Sequence, residues 1–195
     1  LENIGQWSEA NQSHYKLWAG VGVHEVIIEN PHHIVNIGAL DENQFVNVLR
    51  AYQTRLATLR EDRRWRCLLI YKNHGEAAGA TLEHVHSQVI ALPFVPQEVS
   101  EELTGANRHY RSTGACFYCA MSQTESASGT RLVTSTERFV ALCPFAPRFS
   151  YETWILPKHH SATFESSSHD DILDLARALR NVIIKLNCAL GNPAF

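Results

Sequence analysis

The chain has 195 residues, of which 45% are hydrophobic and 19% charged, and its formal net charge is −3. A chain of this kind can bury one sizeable core or two small ones. It contains no run of eighteen apolar residues, no signal-peptide pattern and no basic block, which argues against membrane insertion, secretion and nucleic-acid binding. Its five cysteines are odd in number and only Cys116 and Cys119 are closely spaced, which predicts a reducing, cytoplasmic location.

An internal repeat with an offset of 127 residues organises the chain. Residues 25–28 are a predicted strand, His33 lies in the turn after it, and residues 41–59 have the apolar spacing of an amphipathic helix. The same order returns later, with the strand, histidine and helix at residues 152–155, His160 and residues 168–186. The sequence therefore predicts two copies of one strand–turn–helix unit.

Further elements lie between the two copies. Residues 67–72 are a predicted strand, and a polar, helix-like run begins at Gln97. We predict three regions: an N-terminal half at residues 1–96, a connection at 97–114, and a C-terminal half at 115–195 that stops before its own copy of the strand containing His84.

The most informative stretch is residues 73–88, where a glycine-rich loop runs into a strand with two histidines and a glutamine. Side chains on a strand alternate between its faces, so His84, His86 and Gln88 are predicted to share one face. Two imidazoles and an amide are costly inside a core unless each is hydrogen-bonded. We therefore predict a functional site on this face, rather than a solvent-facing strand with chance histidines.

These residues resemble the galactose-1-phosphate uridylyltransferase branch of the histidine-triad superfamily, whose signature is a His-x-His-x-Gln strand after an Asn-x-Gly loop. Val85 stands where the family often has proline between the two histidines. The resemblance implies an α+β fold of two histidine-triad-like halves. Each half would be an antiparallel sheet with a packed helix, and the second half would be incomplete.

The resemblance also implies a reaction. His86 would attack the α-phosphorus of a nucleotide sugar, form a covalent nucleotidyl-histidine and release a sugar 1-phosphate, and a second sugar phosphate would then take the nucleotide. A neutral imidazole suits this role when one nitrogen donates to a backbone carbonyl and the other keeps its lone pair. Gln88 stands where triad hydrolases have a third histidine, and an amide binds phosphoryl oxygens but relays no proton at neutral pH. The other implied substrate-binding residues are Asn73, Gly79, Thr81 and Ser87.

The favoured function is uridylyl transfer, with a nucleotide sugar and a sugar 1-phosphate as partners, no nucleic acid or membrane, and a homodimer as the assembly. One alternative is an adenylyl phosphorylase of ADP-sugars or dinucleoside polyphosphates, which shares the motif. Another is a zinc-folded module that binds nucleotides without catalysis. The motif alone does not separate the first two.

A metal site is the second chemical prediction. Cys116 and Cys119 have the spacing of a zinc knuckle, and His160 ends the strand of the second repeat. A lone Cys-x-x-Cys is ambiguous between a redox dithiol and a metal site, but no thioredoxin-like Trp or Pro accompanies it. The family resemblance implies zinc held by Cys-x-x-Cys and two histidines. In the first half the implied ligands are His33 and His84, with a Cys-x-x-Cys expected before the first residue shown.

Overall fold

The computed structural model describes residues 20–195 of the chain. Within this range it contains four α-helices and two antiparallel sheets of three strands each, which confirms the predicted α+β fold. We expect Trp7 and Trp18 to fill a core or an interface and His14 to be exposed, but these three residues lie outside the described range.

The first sheet has the predicted histidine strand at its centre. Its strands and helix are β1 at Val23–Ile28, α1 at Glu42–Arg60, β2 at Cys67–Tyr71 and β3 at His86–Leu92. The strand order is β1-β3-β2, and both pairs are antiparallel. His84 precedes β3 rather than lying in it. The reason is that Val85 donates to Ile34 O and accepts from Glu29 N, so this part of the chain bonds to the segment after β1.

The second sheet follows two connecting helices. The elements are α2 at Gln97–Thr113, α3 at Phe117–Ser128, β4 at Leu132–Ser135, β5 at Phe139–Leu142, β6 at Trp154–Pro157 and α4 at His169–Leu190. The strand order is β4-β5-β6, again antiparallel. β6 begins two residues later than predicted, because the carboxylate of Glu152 accepts a hydrogen bond from the Arg148 N–H and closes a turn before the strand.

The 127-residue repeat is visible at the start of both long helices. Asp41 caps α1 by accepting a hydrogen bond from Gln44 N, and the Gln44 side chain accepts one from Asp41 N in return. Ser168 and Asp171 form the same capping box on α4. A short 3₁₀ turn precedes each box, at Ile37–Ala39 and Phe164–Ser166. The repeat is therefore present in the local structure as well as in the sequence.

The helices α1 and α4 pack against each other and share one core. The buried members of this core from the two helices are Phe45, Val46, Val48, Leu49, Ile172, Ala176 and Ile183. The far end of α1, at Leu59, packs against Val89 and Ala91 of β3. Burial of each large apolar side chain contributes about 1.5–3 kcal/mol, so α1 holds the inner face of β3 firmly. No helix among residues 20–195 is both long enough and apolar enough to span a membrane.

Candidate active site and metal centre

His86 begins β3 and is buried. Because Val89 and Ala91 pack toward α1, the alternating side chains of His86 and Gln88 point to the opposite, outer face of the sheet. The Nδ1 of His86 donates to the carbonyl oxygen of His84 at 2.7 Å. A carbonyl only accepts, so Nδ1 carries the proton and Nε2 of the neutral ring keeps its lone pair. No residue in the described range hydrogen-bonds to that Nε2.

Gln88 is held by two neighbours on the same face of the sheet. Its Oε1 accepts a hydrogen bond from the Tyr71 hydroxyl at 2.9 Å and one from Nε2 of His24 at 2.7 Å. With the amide oxygen occupied in this way, the NH₂ end is the part of Gln88 left to bind a ligand. An NH₂ group donates only, and its natural partner is an acceptor such as a phosphoryl oxygen.

A cleft of about 230 Å³ opens beside His86. Asn73, Thr81 and His84 line it together with His86, so the structure brings four of the predicted residues to one place. Gln88 lies one step further along the outer face and does not line this cleft. The cleft is large enough for a phosphate group beside the free Nε2.

The loop at residues 73–79 depends on two glycines. Gly75 has φ of 81° and Gly79 has φ of 82°, in the region that glycine adopts without strain. A 3₁₀ turn at Glu76–Ala78 lies between them. Gly79 does not line the cleft, and its N–H donates to Glu76 O. A Cβ added to Gly79 would lie 3.8 Å from the amide nitrogen of Asn73. The N–H groups of Ala78 and Ala80 are likewise bonded inside the loop, so these amides are not available to bind an anion.

A buried polar network lies on the inner face of β3 and was not predicted from the sequence. The hydroxyl of Ser87 donates to Glu29, and the Tyr52 hydroxyl donates to the same carboxylate at 2.6 Å. Lys72 Nζ lies 2.7 Å from the other oxygen of Glu29. Ser87 was predicted to contact substrate, but its side chain is fully buried on the face opposite His86. Burial and the Glu29 charge raise the pKa of Tyr52, and burial lowers the pKa of Lys72.

His74 connects the loop to the last residues of the chain shown. His74 N donates to Phe195 O at 2.6 Å, Phe195 N donates to His74 O at 3.0 Å, and the two rings lie 5.0 Å apart. A Cβ added to Gly75 would lie 3.0 Å from the Cβ of Ala194, so the two segments approach closely. Burial, and then the charge of Lys72, lower the pKa of His74, which keeps this ring neutral at pH 7.

The second predicted site comes together at the start of α3. Cys119 Sγ lies 3.4 Å from Nδ1 of His160, and the ligand atoms of Cys116, Cys119 and His160 all lie within 4.8 Å of one another. Zinc bonds of about 2.3 Å to sulfur and 2.0–2.1 Å to nitrogen place tetrahedral ligands about 3.5 Å apart. The donor set and its spacing therefore fit a metal ion of that kind, with a fourth position open.

The two thiols differ in acidity. Hydrogen bonding from the backbone N–H of Cys119 is the main cause that lowers the pKa of Cys116, whereas burial raises the pKa of Cys119. Cys116 is the N-cap residue of α3, where unpaired backbone N–H groups favour a thiolate. Cys116 is therefore the more acidic of the two thiols.

In the first half, His33 and His84 lie together, with ring centroids 5.7 Å apart. His84 Nε2 donates to Asn30 O at 2.6 Å, which leaves its Nδ1 with the lone pair that a metal would need. In residues 20–195, however, only the cluster of Cys116, Cys119 and His160 brings three or more candidate ligands together. The metal role of His33 and His84 stays a prediction.

Comparison with known proteins gives one consistent result. The profile of the family described as "Galactose-1-phosphate uridyl transferase, N-terminal domain" matches residues 2–96. The chain is 32% identical over 176 residues to the ADP-glucose phosphorylase of Arabidopsis thaliana, covering 90% of this chain and 49% of that protein. It is 29% identical over 164 residues to the galactose-1-phosphate uridylyltransferase of Thermotoga maritima, covering 84% of this chain and 51% of that protein.

The chain belongs to the galactose-1-phosphate uridylyltransferase family. The crystal structure of an ADP-glucose phosphorylase from Arabidopsis thaliana with bound ADP-glucose is similar to it, with a TM-score of 0.84 and 31% identity over 91% of this chain and 56% of that one. These family members are longer, since the chain spans about half the length of the curated relatives it matches. The predicted family and the predicted fold are both confirmed.

Proposed function

We propose that this protein transfers a nucleotidyl group between sugar phosphates through a covalent bond to His86. One observation carries the proposal: Nδ1 of His86 is held by His84 O, and His86 lines the same cleft as Asn73 and Thr81. Nε2 attacks the α-phosphorus of a nucleotide sugar, and a P–N bond forms as the P–O bond to the departing sugar 1-phosphate breaks. An acceptor phosphate then attacks the same phosphorus, and the P–N bond breaks.

In this mechanism Gln88 donates from its NH₂ group to an α-phosphoryl oxygen. The bonds from Tyr71 and His24 to its Oε1 support that orientation. A fixed donor aimed at charge that develops in the transition state accelerates phosphoryl transfer without reorganising. Because an amide relays no proton to water, the covalent adduct persists until an acceptor arrives.

The favoured nucleotide is uridylyl, with UDP-glucose as donor and a hexose 1-phosphate as acceptor. The support is the family profile and the 29%-identical relative from Thermotoga maritima, which is a galactose-1-phosphate uridylyltransferase. A second candidate is adenylyl transfer from an ADP-sugar to inorganic phosphate. The 32%-identical ADP-glucose phosphorylase of Arabidopsis thaliana favours it.

The test is a trapping experiment with UDP-glucose and ADP-glucose, each labelled at the α-phosphorus, followed by competition between the two. We expect label on His86 with release of glucose 1-phosphate, and the preferred nucleotide identifies the reaction. Labelling of neither His86 nor any other residue, despite measurable nucleotide binding, would instead favour a non-catalytic, metal-folded nucleotide-binding module.

We further propose zinc as the metal of the Cys116–Cys119–His160 cluster. Two thiolates and an imidazole are ligands that zinc prefers over magnesium or calcium, and a tetrahedral zinc held by these three would take a fourth ligand from water or from another residue. Because a metal that binds only the folded site adds its binding energy to folding, we expect this ion to stabilise the fold. The same donor set supports zinc over a redox dithiol, because His160 converges on both thiols. Metal analysis of the purified protein tests the assignment.

Assembly and location are also proposals. Val26 and Ile28 of β1 are 50% and 55% exposed, and an apolar pair beside the site supports a homodimer formed through this face. Light scattering coupled to size-exclusion chromatography measures the mass directly. All five cysteines lie in the described range and are free thiols, which supports a reducing compartment such as the cytoplasm.

A further inference from the structure

The ion pair between Lys72 and Glu29 is buried directly behind His86. Its Nζ–Oε2 distance is 2.7 Å, and the exposed fractions of the two side chains are only 14% and 0%. The same Nζ donates to the main-chain carbonyl oxygen of His86 at 2.6 Å. A buried pair of charges is a weak source of stability, so its position beside the proposed nucleophile needs another explanation.

The backbone geometry shows what this lysine supplies. The pairing of β2 with β3 ends at Tyr71 and Gln88, so His86 lies beyond the last backbone partner that β2 offers. On the other side, Glu29 N bonds to Val85 O. Carbonyls of successive strand residues point to opposite edges, so the carbonyl of His86 faces the side that β2 has left. The ammonium group of Lys72 takes the place of the missing backbone donor.

Glu29 fixes the ammonium group in this position. Its carboxylate also accepts from the Ser87 hydroxyl and from Tyr52, which belongs to α1. The network therefore connects the end of β1, the helix α1, the residue after β2 and the first two residues of β3. A network in which every member is bonded is rigid, and it holds His86 from its backbone side.

We propose that Lys72 and Glu29 are positioning residues that hold the main chain of His86, so that its imidazole keeps the Nδ1–H tautomer and aims Nε2 into the cleft. This inference rests on the nucleotidyl-transfer function proposed above. A misplacement of about 1 Å in a reacting group costs about 10²-fold in rate, so loss of the anchor slows the attack on phosphorus. Lys72 lines the cleft, but its ammonium group is bonded to Glu29 and to His86 O, so we expect nucleotide affinity to stay the same.

The decisive variant is the double substitution Lys72→Met with Glu29→Gln. It removes both charges at similar volume, so no unpaired charge is left in the interior. The matched control is Arg55→Met with Glu25→Gln, which removes an ion pair of 2.8 Å between α1 and β1 that does not touch His86. Lys72→Arg, which keeps the charge and the donors, serves as the conservative variant.

Two readouts are compared in these folded proteins, with folding checked by circular dichroism. In single-turnover labelling, we expect the double variant to form the nucleotidyl-histidine about 10²-fold more slowly at unchanged nucleotide Kd, while the control keeps the wild-type rate. Lys72→Arg should recover most of the rate. An unchanged rate in the double variant overturns the proposal. So does an unchanged rate constant with weakened nucleotide binding, since Lys72 would then be a substrate contact.

The second readout needs no reaction. Long-range ¹H–¹⁵N NMR correlations report which nitrogen of His86 carries the proton, and we expect a single Nδ1–H form in the wild type and mixed tautomers in the double variant. If the wild-type protein forms no adduct, the nucleotidyl-transfer function fails while the tautomer result still decides the positioning role. A His86 ring that keeps one tautomer in the double variant overturns it.

Discussion

The two halves place a histidine at the same point of the repeat and use it differently. His33 in the first half and His160 in the second both follow the repeat strand and precede a 3₁₀ turn and a capped helix. His33 lies beside His84, whereas His160 meets Cys119 at 3.4 Å. The repeated unit therefore fixes where the histidine lies, and the segment that approaches it from elsewhere decides the chemistry.

The two sheets also differ in the polarity of their central strands. All four residues of β5, the central strand of the second sheet, are buried, and all four are apolar. The central strand of the first sheet has His86 and Gln88 on its outer face, where Tyr71 and His24 complete a polar surface. One half thus carries the proposed reaction, and the other carries the cluster proposed to bind a metal. Experiments that separate reaction from metal test this division.

The largest expected effect comes from His86→Gly. Removing the proposed nucleophile should lower nucleotidyl transfer by several orders of magnitude, because the covalent route is lost. The apolar core between α1 and β3 does not include this side chain, so folding and metal content should be retained. Turnover with UDP-glucose and ADP-glucose measures the loss. Near wild-type turnover in a folded variant would show that His86, and with it the first half, does not carry the reaction.

Gln88→Ala should slow formation of the nucleotidyl-histidine by about 10²-fold, the scale seen when one preorganised donor is lost. Tyr71→Phe is the matched variant, since it removes one of the two hydrogen bonds to Oε1 and leaves the amide in place. Its effect should be smaller. Single-turnover labelling compares the two, and equal rates in Gln88→Ala and the wild type would reduce Gln88 to a strand residue.

Cys116→Ser tests the second half, because it should affect metal binding and stability without affecting the reaction. Loss of one of three ligands should lower bound metal and the Tm together, by at least about 4 °C, which corresponds to about 1–2 kcal/mol in a domain of this size. Adduct formation at His86 should persist. Cys143→Ser, outside the cluster, is the control. Elemental analysis and thermal melts decide, and unchanged metal and melting in Cys116→Ser would rule out a structural metal there.

The smallest effect concerns Glu152, which corresponds to Glu25 in the repeat. Its hydrogen bond from the Trp154 indole, followed by bonds from Arg148, lowers the pKa of its carboxyl from 4.5 to about 2. Because the folded-state pKa is depressed, the stabilisation is complete above pH 4.5 and is lost as the pH falls toward 2. Glu152→Gln should therefore flatten the fall of Tm in this interval. Melts across pH 2–6 measure the slope, and an identical slope in the variant would contradict the assignment.

The helices and the motif were predictable because each has a local signal. The apolar spacing of residues 41–59 and 168–186 locates α1 and α4 to within a few residues, since a helix must bury one stripe. The alternation of His86 and Gln88 correctly indicates a shared face. The repeat predicted that His160 would approach the Cys-x-x-Cys pair, because the 127-residue offset indicates the position of this histidine in the fold as well as the elements around it.

The polar network behind His86 was not predictable in the same way. Glu29 and Lys72 lie at the ends of separate strands, and neither forms a periodic pattern with the other. Their pairing, and the burial of Ser87, depend on the register between β1, β2 and β3. Register is set by packing between segments far apart in sequence, so a single sequence carries little direct signal of it.

The two backbone hydrogen bonds between His74 and Phe195 have a consequence for folding kinetics. They close a loop of more than one hundred residues, and closing such a loop costs chain entropy that local contacts do not. We therefore expect the segment Asn73–Gly79 to reach its final conformation after the helices have formed and α4 has docked. On refolding, helical content should return first, and nucleotide binding should follow in a slower phase.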